Sequence, residues 1–249
     1  RVRGSEEPIV HEVHETRHGP LLDSYLTGRL RPANRPLEGT YALRWVGAEH
    51  SIRPSALIDV ANVSSFEGFR EAARALECPG QNLVYADVDG TIGYQCTGLH
   101  PIRRTGDGTV PVPGWTADHE WDGFVPFEEL PSAVDPGRGY LVTANDRNHA
   151  DDYPHLIGHD FHTPDRATRI TELLEARSDH TVDTCREIQG DTVSLAAREL
   201  LPRISLSDER ARELFDGWDR DLSADSAAAA RDTVSRQLTG TATTVLIGG

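Results

Sequence analysis

Residues 139–148 read Gly-Tyr-Leu-Val-Thr-Ala-Asn-Asp-Arg-Asn. The apolar run Tyr140-Leu141-Val142 predicts a buried strand, and it ends abruptly in Asn145-Asp146-Arg147-Asn148. An amide, a carboxylate, a guanidinium and a second amide in succession make either an ordinary polar turn or one wall of a reaction site. Directly after them come His149, Asp151, Asp152, His155, His159, Asp160 and His162. Imidazoles and carboxylates at this density have the donor types of a divalent-metal site. No helical HExxH spacing is present, and Tyr153-Pro154 interrupts any helix, so a solvated loop is the expectation; oxygen ligation of Ca²⁺ by one of these Asp residues stays open. A GxSxG serine elbow is absent; Gly4-Ser5 precedes Glu-Glu-Pro rather than a buried strand and reads as loop.

A second constellation is Val84-Tyr85-Ala86-Asp87-Val88-Asp89-Gly90-Thr91-Ile92. An apolar strand ending in Asp-x-Asp-Gly-Thr resembles the opening motif of the haloacid dehalogenase-like phosphatases. That resemblance implies Asp87 as nucleophile and Asp89 as acid/base partner beside Mg²⁺. The setting differs from that family. A second strand-like run, Ile92–Gly98, follows at once, and no Lys is available to hold a phosphoryl group. A plain hairpin turn at Asp89-Gly90 accounts for the spelling without chemistry.

Composition narrows the classes. The chain has 249 residues, enough for one large domain or two small ones with a real core. Its 40 acidic residues against 25 basic ones, a net charge of −15, argue against a nucleic-acid partner and against an anionic membrane surface. All the basic residues are Arg, and the lack of Lys excludes Schiff-base and P-loop mechanisms. Arg in place of Lys, with abundant Ala and Asp, fits a GC-rich genome, and the acid excess equally suits high salt. No apolar run approaches the roughly 18 residues of a membrane span. Arg1-Val2-Arg3 and the absence of Met suggest a segment of a longer or processed polypeptide. Cys78, Cys96 and Cys185 form no CxxC pair; one disulfide with a free thiol is compatible, and three buried thiols are expected.

The elements that must position these residues change character along the chain. Residues 8–18 alternate apolar and polar, predicting a strand ended by Gly19-Pro20, and residues 41–46 predict another. Residues 54–77 carry helical spacing, with Ser65 as N-cap and Glu67 and Glu71 early in the following helix. Residues 82–98 predict two strands joined at Asp89-Gly90. The Pro/Gly-rich stretch 98–138 reads as a long loop that wraps a core or shapes a site. From about residue 165 helices are expected at 165–177, 180–188, 192–202, 207–217 and 225–238, separated by Asp191-Thr192, Ser207-Asp208 and Ser223-Ala224-Asp225. The organisation is a strand-rich part, 1–160, followed by a helical part, 161–249, with no internal repeat.

Six ordered blocks carry a further resemblance: residues 16–20 (TRHGP), 79–98 (PGQNLVYADVDGTIGYQCTG), 106–115 (GDGTVPVPGW), 120–131 (EWDGFVPFEELP), 139–148 (GYLVTANDRN) and 188–202 (IQGDTVSLAARELLP). Collinear from about residue 8 to residue 235, the chain resembles the penicillin amidase family: penicillin and cephalosporin acylases and their acyl-homoserine-lactone and lipopeptide acylase relatives, within the N-terminal nucleophile (Ntn) hydrolases. The resemblance implies an α+β fold, part of an antiparallel αββα sandwich followed by a helical region. It implies an amidohydrolase cleaving a linear amide of a small acylated substrate, made by cutting a precursor. The partners would be the α chain and the remainder of the β chain, in a periplasmic or secreted setting. In that family the Ser opening the β chain attacks the amide with its own amino group as base; no residue here matches it, so the isolated segment is expected to be inactive. The alternatives are the phosphatase with Asp87 as nucleophile and a non-catalytic binding domain derived from an acylase.

The same resemblance assigns roles by position. Asn145 corresponds to the asparagine whose side-chain amide, with backbone N–H groups, holds the oxyanion. The Asp146 carboxylate stands where many relatives have a second amide. Arg166 corresponds to an arginine that orders the nucleophile's amino group and the Asn, with Arg169 as the alternative. Gln81 falls where the family lines its acyl pocket. A structural Ca²⁺ is implied, with the Gly108 carbonyl and the Asp160 carboxylate as the positions that align; no organic cofactor is implied.

Overall fold

The structure is a computed structural model, and it describes residues 12–22, 39–51, 53–203 and 209–226. Every strand pairing among these residues is antiparallel, which removes the parallel sheet a phosphatase of the haloacid dehalogenase type would need. The chain forms two compact units. One runs to Leu141 and includes His149–Asp160; the other joins Val142–Asn148 to the residues from Phe161 onward.

In the first unit, the predicted strand 8–18 is instead a tight hairpin: β1 (Glu15–Thr16) and β2 (Gly19–Pro20) pair across a turn at Arg17-His18. Its expected beginning, residues 8–11, lies outside the described residues. The strand expected at 41–46 reduces to one bridge, Leu21 to Ala42, followed by the short helix α1 (Val46–Glu49). The helical spacing of 54–77 resolves into α2 (Pro54–Ala61) and α3 (Phe66–Ala73). Ser65 caps α3 as expected, its hydroxyl accepting from the Gly68 N–H at 3.1 Å.

The main sheet has the order β3 (Asn82–Ala86), β4 (Ile92–Cys96), β7 (Ser132–Val134). β3 alternates exposed and half-buried residues, whereas four of the five residues of the central β4 are buried. The β3–β4 hairpin stands where Asp89-Gly90 predicts it. The Asp87 N–H donates to the Thr91 carbonyl at 3.1 Å, so the tip is Val88-Asp89-Gly90, with Gly90 at φ +96. Phe66 and Phe69 of α3 pack on Tyr85, with ring centroids 5.7 and 5.3 Å apart. The Pro/Gly stretch is not a loop throughout: it supplies β5 (Pro101–Arg103), β6 (Trp121–Phe124) and β7. Tyr94, Cys96, Val125 and Leu130 form the core of this unit, with Leu141 against them. The predicted strand Tyr140–Val142 does not form. Leu141 finds side-chain cover, but a strand also needs a backbone neighbour, and no described strand pairs with this run.

The second unit is helical, with α4 (Asp165–Glu175), α5 (Val182–Gln189), α6 (Leu195–Leu200) continued by a 3₁₀ turn at Leu201–Arg203, and α7 (Glu209–Asp216). Thr181 and Thr184 form a capping box on α5, and the Ser194 hydroxyl caps α6 through the Ala197 N–H at 3.1 Å. Ser194, rather than Asp191-Thr192, is therefore the α6 cap. Ala197, Phe215 and Trp218 form this unit's core. The helix expected at 225–238 and the cap at Ser207-Asp208 fall almost wholly outside the described residues. All three cysteines are free: Cys96 is buried, Cys78 half-buried and Cys185 exposed, so three buried thiols do not occur.

Candidate active site

Asn145 sits in the left-handed region at φ +63, a conformation Asn tolerates better than any residue except glycine. Three contacts hold it there. The Asp146 carboxylate accepts from the Ala144 N–H at 3.0 Å, closing the turn over the buried Ala144. The Asn145 carbonyl accepts from the His162 N–H at 2.8 Å. Arg166, on the first turn of α4, donates from Nη1 to Asn145 Oδ1 at 3.1 Å. Asn145 and Asp146 are thus held by their own turn and by contacts to His162 and α4, not by a strand end.

The Arg166 contact decides which way the amide faces. A guanidinium only donates, so the atom it meets is the carbonyl oxygen, and the Nδ2 hydrogens are turned the other way. No described residue takes those hydrogens. Asn145 is exposed, so the amide is presented as a donor to whatever lies beside it. Asp146 spends an oxygen on the Ala144 N–H rather than facing outward with both. The contact Arg169 makes is different: a fork to Asp191, and a further donation to Glu172.

The other constellations resolve into structural contacts. The Asp87 carboxylate accepts from the Asp89 and Thr91 N–H groups at 3.0 and 2.9 Å and from the Tyr85 hydroxyl at 2.9 Å. Desolvation opposes its charge, but the Thr91 N–H, the Tyr85 hydroxyl and the Asp89 N–H outweigh it and hold the carboxyl below its ordinary range. It organises the hairpin tip and is not placed as a nucleophile. Gln81 joins β3 to β4 through its backbone, the N–H donating to Thr97 Oγ1 at 2.9 Å, and its side chain is exposed.

In the His/Asp stretch, His155 meets Glu129 at 2.5 Å and His159 meets Asp107 at 3.4 Å. The second pair brings the turn carrying Gly108 beside the residue preceding Asp160. Ca²⁺ takes six to eight oxygen ligands. Among the described residues no three His, Cys, Asp or Glu side chains come together as such a site, and Asp107 is already engaged by Thr109 and His159. Gly108 and the exposed Asp160 do not by themselves fit the ion.

The penicillin amidase family profile matches residues 1–242. The chain belongs to the penicillin amidase family. Penicillin acylase 2 proenzyme of Pseudomonas sp. strain SE83 is 37% identical over 92% of this chain, and acyl-homoserine lactone acylase QuiP of Pseudomonas aeruginosa is 34% identical over 90%. Penicillin G acylase of Escherichia coli is 38% identical over 49%. The solved thermostable penicillin G acylase of Alcaligenes faecalis superposes on 99% of the chain with a TM-score of 0.69 at 22% identity, which shows the shared α+β Ntn-hydrolase fold. The chain spans 30% and 29% of the length of the first two relatives and 45% of the solved acylase chain.

Two of the contacts described above were not legible as such in the sequence. Asp146 reads as an intruding charge until its bond to the Ala144 N–H is seen. Asp191 stands in the block 188–202 and reads as a helix cap until Arg169 is found on it. The nearest sequence signal for Asp191 was its place in a matched block.

Proposed function

We propose that this chain is part of an acylase that cleaves the linear amide of an acylated substrate of penicillin or cephalosporin, N-acyl-homoserine-lactone or acyl-peptide type, and that it supplies the oxyanion-holding Asn145. The nucleophile is the N-terminal Ser of the processed β chain, contributed by another part of the precursor. Its Oγ adds to the amide carbon while its own amino group takes the proton. The C=O π electrons move onto oxygen, and that oxyanion accepts from Asn145 Nδ2. A neutral amide suits the task, because it donates to a charge that exists only in the transition state and demands no counter-charge before it. Arg166 keeps Oδ1 occupied, so the amide cannot turn its oxygen toward the developing charge. Gln81 is proposed to line the acyl pocket, residues 1–160 to belong to the sandwich and 161–249 to the helical region. The isolated chain is proposed to be inactive.

The observation that carries this reading is the Arg166 Nη1 to Asn145 Oδ1 contact at 3.1 Å. The test is Asn145→Gly in the complete processed enzyme, since Gly keeps the left-handed backbone and removes only the amide. The turnover number should fall about 10²–10³-fold, with substrate binding weakened less. A folded Asn145→Gly enzyme with near-normal kcat would show that backbone groups alone hold the oxyanion.

A further inference from the structure

Arg169 lies three residues after Arg166, on the same face of α4 and about 4.5 Å further along its axis. It makes a planar fork with Asp191: Nε to Oδ1 at 2.8 Å and Nη2 to Oδ2 at 2.7 Å. Both partners are well shielded, with side chains 23% and 17% exposed, unlike an exposed pair such as Arg186–Asp183 at 73% and 82%. Arg169 also donates to Glu172 at 3.2 Å, and Glu172 accepts from Arg198 of α6. Charges therefore alternate from Asp191 through Arg169 and Glu172 to Arg198.

Asp191 is itself fixed. Its Oδ1 accepts from the Val193 N–H at 3.3 Å. The strand-like stretch it opens bridges Val193 to Asp221, with the Ser194 N–H on the Arg220 carbonyl at 2.9 Å and the Leu222 N–H on the Thr192 carbonyl at 3.0 Å. Helix α4 is thus tied at its second turn to a stretch that is itself held by a bridge and its backbone hydrogen bonds. At its first turn, Arg166 reaches Asn145 at 3.1 Å, near the long end of a useful N–H to O distance. A displacement of half an ångström at that end is enough to break the contact.

From this we infer that the Arg169–Asp191 fork is a positioning device for the reaction: it sets the height of α4 so that Arg166 meets Asn145 Oδ1 and turns the amide toward the oxyanion. The inference rests on the functional reading of Asn145 and Arg166 given above. Neither Arg169 nor Asp191 touches the reacting atoms.

The experiment is a double-mutant cycle in the complete processed enzyme, with Asp191→Asn, Arg166→Ala and the pair, read as kcat and KM on one amide substrate. Asp191→Asn preserves shape and weakens the fork. It should lower kcat about tenfold with KM unchanged within about twofold, because a misplacement of about 1 Å costs roughly 10² and this shift is smaller. In the Arg166→Ala background the same substitution should have almost no further effect, since the contact it positions is already gone. Full additivity, or an unchanged kcat in Asp191→Asn, overturns the positioning role. If Asp191→Asn does not fold, Arg169→Gln closes the same cycle from the other partner; if neither folds, the fork is a folding element and the inference fails. Should Arg166→Ala and Asn145→Gly both keep full activity, it is the functional reading that falls, and the cycle distinguishes that case.

Discussion

At the scale of single residues, stability and activity should part company at position 145. Asn145 is at φ +63, where an L-residue other than Asn, Asp or Gly is strained by about 1–2 kcal/mol. Asn145→Ala therefore confounds a lost amide with a strained backbone, whereas Asn145→Asp tolerates the backbone and offers Arg166 a carboxylate. The Asp variant should melt no lower than the parent in calorimetry, yet lose at least about 10²-fold in kcat, because a negative group would face a developing negative charge. A kcat within tenfold of the parent would sink the donor role. Asp146 has a separate task. Asp146→Asn keeps an oxygen for the Ala144 N–H and should be mild, while Asp146→Ala opens the turn and should lower kcat with Asn145 still in place.

At the scale of elements, the β3–β4 hairpin separates two kinds of glycine. Gly90 lies at φ +96 with open space around it, so Gly90→Ala should cost only the backbone term, about 1 kcal/mol. Gly93 faces the Phe66 ring, and a Cβ there would come within 2.2 Å of it. Gly93→Ala must push Phe66 off Tyr85 and should cost about 1–3 kcal/mol through overpacking. Equal melting shifts for the two variants would contradict this packing of α3 on β4. Asp87→Asn should leave amide hydrolysis by the complete enzyme untouched, since Asp87 serves the hairpin tip. The Asp-x-Asp-Gly-Thr spelling was legible as a turn because Asp89-Gly90 is a local signal. Its chemical reading failed because chemistry needs the parallel sheet that local spelling does not encode.

At the scale of the whole chain, the titrating groups lean the same way with pH. The guanidinium of Arg44 holds Glu120 below its ordinary value of 4.5, Arg104 does so for Asp122, Arg198 for Glu172 and Arg169 for Asp191. A carboxylate with a lowered folded-state pKa stabilises fully above its ordinary value, and that stability is lost as pH falls through the folded value. Burial pushes His100 below its ordinary 6.5, against the pull of the Thr97 and Ile157 carbonyls. A His with a lowered folded-state pKa also stabilises above its ordinary value and loses that as pH falls. The melting temperature should therefore decline in two stages on acidification, one below about 6.5 and a steeper one below about 4. His100→Gln should erase the first stage. A parent melting temperature flat from pH 7 down to about 4.5 would refute the His100 assignment.

Much that depends on neighbours in sequence was readable directly: the Ser65 cap, the Asp89-Gly90 hairpin and the start of α4 at Asp165. These rest on hydrogen bonds and periodicities spanning a few residues. The collinear blocks also carried the family, and with it Asn145 as a position. What they could not carry was anything requiring a partner distant along the chain. Tyr140–Val142 has the pattern of a strand but pairs with no described strand. The Pro/Gly stretch hides three strands because their ladders run to residues 18 to 41 positions away. The direction of the Asn145 amide waits on Arg166, 21 residues on, and Arg169 finds its aspartate another 22 residues along the chain. Local propensity selects the elements; only packing selects which of their polar atoms meet, because that depends on distances no spacing rule contains.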